Sequence, residues 1–212
     1  MCHRNLLRGT RGFLLLLSLG TAACGGGTVD ASAVRPVSAD QAQITAALAF
    51  ARARQAADGR DWSAALAAAE QAVAADPRHD SAHLDAGWAA WCLGQPAKAA
   101  AHYQAVLDAD PDNLDARVAL GIALRGQGHN EEARRAYQAV LDAQPTHAAA
   151  LYDMGVLLAE FLDDRPHARE LFQRYLEVAP SGAPQRQTAQ NYVQDIGAEM
   201  APSAPSGSSS GS

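Results

Sequence analysis

Aromatic residues make up only 6 % of this sequence and cysteine occurs three times, so neither a large aromatic core nor a disulfide framework organises the chain. The motifs that carry common chemistries are missing. There is no glycine-rich phosphate loop, no paired metal-binding cysteines and no helical His-Glu-x-x-His. No serine sits in a Gly-x-Ser-x-Gly elbow. Basic residues are outnumbered 17 to 23, which argues against a nucleic-acid partner and against a polybasic membrane patch. His79 and His83 stand four apart beside Asp80, but His79 falls in a turn, and a clamp with one obvious third ligand is a poor metal site. No enzyme activity, cofactor, metal or small-molecule substrate is therefore expected. What the chain has in excess is alanine, the best helix former because it loses no side-chain entropy and crowds nothing. An all-α protein follows.

The two ends differ from the middle. Arg4, Arg8 and Arg11 precede a short apolar run, Gly12 to Ala23, dominated by Phe13 and Leu14 to Leu17. As a helix this run spans about 18 Å, too short for a bilayer core of about 30 Å. It reads as a targeting segment, residues 1–23, to be excluded from fold reasoning. Thr21-Ala22-Ala23-Cys24 at its end resembles the lipobox of bacterial lipoproteins, with Thr21 in place of the more usual leucine. The resemblance implies that Cys24 is acylated and becomes the first residue of a membrane-anchored protein. Gly25 stands where aspartate would favour inner-membrane retention, so it points to the outer membrane and a periplasm-facing body. An ordinary signal peptide, with Cys24 incidental, is the alternative. Loss of residues 1–23 removes three arginines and no acid, shifting the formal charge from −6 to about −9. Cys2 leaves with that segment and Cys24 is acylated, so Cys92 is expected to stand alone. Residues 24–40 read as a flexible tether reaching roughly 20–24 Å. Residues 200–212, almost entirely Ala, Pro, Ser and Gly, read as a disordered tail.

Between the ends the sequence has a period. Pro77, Pro111 and Pro145 follow at 34-residue steps and Pro180 comes 35 later. Upstream of each proline the same landmarks recur: Ala65, Ala99, Ala133 and Ala168; Tyr103, Tyr137 and Phe172; Gly87, Gly121 and Gly155. Gly94 and Gly128 mark a turn between paired helices. This resembles the tetratricopeptide repeat: two antiparallel helices, small residues where they cross, and a proline that closes the unit. Proline ends the second helix because it lacks the amide hydrogen and excludes the residue before it from helical geometry. The resemblance implies a tetratricopeptide-repeat (TPR) solenoid spanning 41–182, with repeats at 46–79, 80–113, 114–147 and 148–181. The first is the most degraded. It keeps Gly59, Trp62 and Ala65 but has Ala53 and Ala69 where glycine and an aromatic are expected. The fourth carries an extra residue around Asp163-Asp164 and a bulky Tyr175, which predicts local distortion. Residues 183–199 place Ala189, Tyr192, Val193 and Ile196 on one side of a helix, as expected of a cap that shields the last repeat.

In this repeat family, first helices line a concave groove that binds protein or peptide clients. Carried over by position, the resemblance places there Phe50 from the first repeat and Leu84, Trp88, Trp91 and Cys92 from the second. The third contributes Asp115, Val118, Ile122 and Arg125, and the fourth Tyr152, Val156 and Glu160. These residues either meet an apolar client, with Trp88 and Trp91 as anchors, or pack internally. Anchor, tether and repeats together are similar to pilotins of type IV pili and to repeat lipoproteins of gliding-motility complexes. They are also similar to adaptors of peptidoglycan hydrolases. The implied function is a membrane-anchored scaffold or assembly factor of the cell envelope. A self-associating structural subunit is the alternative.

Overall fold

The computed structural model describes residues 37–200. The targeting segment, Cys24, most of the tether and nearly all of the tail lie outside the described residues. Among those described the chain is helical throughout: α1 (Val37–Asp58), α2 (Trp62–Ala75), α3 (Asp80–Cys92), α4 (Pro96–Ala109), α5 (Leu114–Gly126), α6 (Asn130–Ala143), α7 (Ala148–Glu160), α8 (Arg165–Val178) and α9 (Arg186–Glu199). One compact unit ends at Ala109 and a second begins at Asp110. The first holds α1 to α4, two antiparallel hairpins; the second holds two further hairpins and α9. α1 begins at Val37, so the last residues assigned to the tether are helical.

Helix starts are set by side chains that occupy the orphaned amides of the first turn. His79, Asn113 and His147, spaced by the repeat, accept from the backbone amides of Ala82, Ala116 and Ala150. Asp61 and Asp164 do the same for α2 and α8. The helix ends obey the proline rule. Asp76, Gln144 and Ala179, each just before a proline, have left helical geometry for extended backbone.

Small residues set the helix crossings. A Cβ added at Gly87 would lie 2.6 Å from the Tyr103 ring, one at Gly121 2.5 Å from Tyr137, and one at Gly155 2.9 Å from Phe172. Each aromatic ring is thus seated on bare backbone, and all three rings are buried. In the first repeat both partners are alanine, and Ala53 and Ala69 are buried instead.

The turn between paired helices needs one residue in left-handed conformation. Gly94 and Gly128 supply it at φ 71° and 80°. In the first repeat that residue is Arg60 at φ 60°, 34 residues before Gly94 and so in the same column. In the fourth it is Asp163 at φ 53°. The extra residue of that repeat is absorbed in the turn, and α8 runs unbroken past Tyr175. A side chain with a Cβ costs about 1–2 kcal/mol in this region. Arg60→Gly is therefore expected to raise the stability of the first unit by up to about 1 kcal/mol, after the added chain entropy of glycine is deducted. Urea unfolding checks it; a loss would mean that Arg60 makes a compensating contact.

Candidate protein-binding surfaces

In the first unit, Phe50, Leu84, Trp88, Trp91 and Cys92 are all half-buried. Phe50 lies against the cluster formed by Ala49, Ala72 and Ala82. Its ring meets His79 at 4.7 Å, and the Arg54 guanidinium lies 5.8 Å from its centroid. Much of Phe50 is thus internal packing. Leu84, Trp88 and Trp91 share one side of α3, where spacings of four and three residues bring them into a stripe. The Trp88 Nε1 is buried without a hydrogen-bond acceptor in the protein, an arrangement that normally costs about 1–3 kcal/mol. Arg54 of α1 approaches Asp85 of α3 at 3.9 Å beside this stripe. Cys92 does not stand alone, contrary to the sequence expectation: it is disulfide-bonded.

The second unit divides the expected set differently. Val118 is wholly buried and Ile122 is 9 % exposed, so both serve the interior and present no groove surface. The helix period explains the correction. Val118 and Ile122 share a helix stripe with the buried Gly121, and the close glycine crossing draws them into the core. Tyr152 and Val156 of α7 are half-buried. Tyr152 packs edge-on to Phe172 at 5.8 Å and tilted to Tyr175 at 5.3 Å. Glu160 is exposed and accepts from the Tyr192 hydroxyl of α9 at 2.9 Å. Asp115 is exposed and lies 3.5 Å from His147 Nε2.

Arg125 is the centre of charge in this unit, with a partner the sequence reading missed. Its Nη2 lies 3.5 Å from Asp153 Oδ1, with side-chain exposures of 15 % and 14 %. Its guanidinium also lies 5.9 Å from the ring centroid of Phe161, which is 50 % exposed. One signal was available. Asp85 and Asp153 occupy the same place two repeats apart, and each meets an arginine from the preceding first helix.

Burial pushes the Asp153 carboxyl up to about 6 although Arg125 favours the charged form. The folded value lies above the unfolded value of 3.8, so the folded unit favours the protonated acid. This group's penalty is absent at low pH, grows as pH rises from about 4 to about 6, and is complete above that. Lowering the pH from 7.5 to 5 is expected to stabilise the second unit by about 1–1.5 kcal/mol, roughly half of what full protonation below pH 4 would release. Asp153→Asn should flatten that dependence in a pH series of urea unfolding. An unchanged slope in the variant would place its origin elsewhere.

His79 and His83 are both engaged within the fold, His79 as a helix cap and His83 against another ring. No group of three or more His, Cys, Asp or Glu is placed to hold a metal ion among the described residues. No described helix is long and apolar enough to cross a membrane.

Two family models, each described as a tetratricopeptide repeat, match residues 50–113 and 90–152. Among solved structures, pilF of Pseudomonas aeruginosa aligns with a TM-score of 0.62 at 16 % identity, covering 76 % of this chain and 70 % of that one. YrrB, titled a TPR protein with an unusual peptide-binding site, aligns at 0.60 and 22 %, over 72 % and 76 %. MamA of Desulfovibrio magneticus aligns at 0.59 and 22 %, over 65 % and 77 %. The search of curated proteins found no match. The helix pairs, the glycine–aromatic crossings and the matched repeats agree: the fold of this chain is that of the tetratricopeptide repeat.

Proposed function

We propose that this chain is a protein-binding scaffold, held at the bacterial outer membrane through acylated Cys24 and facing the periplasm, that serves as an assembly factor in an envelope complex. The observation that carries the binding role is the stripe of Leu84, Trp88 and Trp91. It leaves large apolar side chains partly uncovered on a first helix, the helix type that meets clients in this fold. Arg125, Tyr152, Val156 and the exposed Phe161 form a second surface, in which one cation lies among apolar and aromatic groups. An apolar helix or extended segment of a partner protein suits both. The peptide-binding site named for YrrB, a protein of similar fold, supports such a role. The anchor rests on the lipobox resemblance, and the pilotin-like or motility-complex role on the combination of anchor, tether and repeats.

A photoreactive residue at position 88 or 91 in intact cells tests the reading. One dominant envelope protein should be trapped, and serine at Trp88 and Trp91 should abolish its copurification from membranes. Crosslinks confined to the chain itself would refute the client surface. Cys24→Ser should release the protein from membranes; retention would refute the acyl anchor. A self-associating structural subunit has one observation in its favour: Ile44 and Leu48, 54 % and 58 % exposed, lie on the side of α1 away from the buried Ala46, Ala49 and Ala53. That reading predicts concentration-dependent oligomers lost on Ile44→Glu.

A further inference from the structure

Two imidazoles meet between α3 and α4. His83, 8 % exposed, has its Nδ1 3.2 Å from Nδ1 of His102 and its Nε2 3.2 Å from the Pro77 carbonyl oxygen. A carbonyl only accepts, so His83 Nε2 carries the hydrogen. In the neutral ring its Nδ1 is then an acceptor, and Nδ1–H of His102 donates to it. This leaves His102 Nε2 facing Glu70 Oε1 of α2 at 3.8 Å. The same carboxylate accepts from Lys98 Nζ of α4 at 2.9 Å.

One added proton fits this chain of contacts. Placed on His102 Nε2 it points at Glu70 and disturbs nothing. A second does not fit, because His83 would then carry a hydrogen on Nδ1 facing the one already on His102. Two N–H groups would oppose each other across 3.2 Å, in a buried layer between two cations. Three of the other polar and charged groups around α3 have partners of their own. Arg54 of α1 approaches Asp85, His79 caps the helix, and Asp76 accepts from the Arg78 amide. Burial first, and then the neighbouring His83, lower the affinity of His102 for its proton, against the pull of Glu70.

The same layer is built differently in the other repeats. Arg117 and Ala136 stand there in the third, and Leu151 and Leu171, both buried, in the fourth. Arg117 donates to the Pro111 carbonyl as His83 does to that of Pro77. Thus neither the proline carbonyl nor the packing requires a group that titrates. The histidine layer also lies one turn from the Gly87–Tyr103 crossing, on the helix that carries Leu84, Trp88 and Trp91.

We propose that His83 and His102 form a proton-operated latch that holds α3 against α4 at neutral pH and releases it when both rings are protonated. The consequence for a client rests on the binding role of Trp88 and Trp91; the latch itself does not. Amide hydrogen exchange on the full chain, corrected for intrinsic rates, tests it at about pH 7.5 and about pH 5. Protection along α3 should fall at least about tenfold at the lower pH in the parent protein. It should hold in the double variant His83→Arg, His102→Ala, which carries the pair of the third repeat. If that variant does not fold, His102→Gln takes its place: its amide still donates to His83 Nδ1 and takes up no proton. Equal loss of protection in parent and variant, or no loss in the parent, overturns the latch. No client enters this measurement, so a failed crosslinking experiment would leave the latch standing while removing the client surface.

Discussion

Replacing Tyr137 by alanine is expected to cost the second unit about 3–5 kcal/mol, the usual range for removing a buried ring. Tyr137 is fully buried, and the atoms it would vacate lie against Gly121, which has no side chain to follow. The cavity therefore stays open and the neighbours cannot collapse into it. Two companion variants separate the ring from its polar end. Tyr137→Phe should change stability by less than about 1.5 kcal/mol, the scale of one ordinary hydrogen bond. Phe172 fills the equivalent seat over Gly155 without a hydroxyl, and the Tyr137 hydroxyl finds no acceptor in the protein. Gly121→Ala should lose about 1–3 kcal/mol by overpacking, since its Cβ would press 2.5 Å from a ring with nowhere to go. Urea unfolding of the three variants checks the set. A small effect for Tyr137→Ala would show that the glycine–aromatic crossing is not the main fastening of the repeat.

Ending the chain after Gly182 is the second large expected effect, because α9 is the lid of the second unit. Tyr192 stacks on Phe172 at 4.6 Å with the rings nearly parallel, while Ala189 and Ile196 are completely buried. Arg186 also closes the end of α8. Its Nη1 donates to the carbonyls of Leu176 and Ala179, both at 2.8 Å, which satisfies acceptors that a helix terminus leaves unpaired. At the far end of α9, Glu199 pairs with Arg165 at 2.8 Å. Ile196→Ala alone should cost about 2–5 kcal/mol. The truncation should exceed that and leave an apolar face that associates in solution. Light scattering alongside thermal unfolding reads both effects. A truncated chain that stays monodisperse and melts with the parent would remove α9 from any capping role.

The other predictions are smaller and follow from single residues. Arg60 carries a turn that glycine serves elsewhere, and Asp153 is a carboxylate buried beside one arginine. Both depend on conformations that a chain with alternatives would avoid. Each is held by the structure around it.

Sequence alone determined the parts of this protein that are periodic. The proline steps, the glycine and aromatic columns and the alanine excess encode helix length, turn placement and crossing points, because each acts through neighbours within one hairpin. The last helix was legible for the same reason: Ala189, Tyr192, Val193 and Ile196 fall on one side of it, and Ala189 and Ile196 are buried. Tertiary structure decided what depends on how far a helix is drawn toward its partner. Val118 and Ile122 occupy positions that face a groove elsewhere in this fold, yet the tight crossing at Gly121 takes them into the interior. Arg60, which stands in the column of Gly94 and Gly128, is by contrast placed by the 34-residue step itself, and the neighbouring Gly59 lies outside that column. The partners Arg125–Asp153 and His83–His102 stand 28 and 19 residues apart and belong to different helices. The recurrence of Asp85 and Asp153 hints at the first pair and no column reveals the second, since each contact exists only once two helices have packed and water has been excluded from between them.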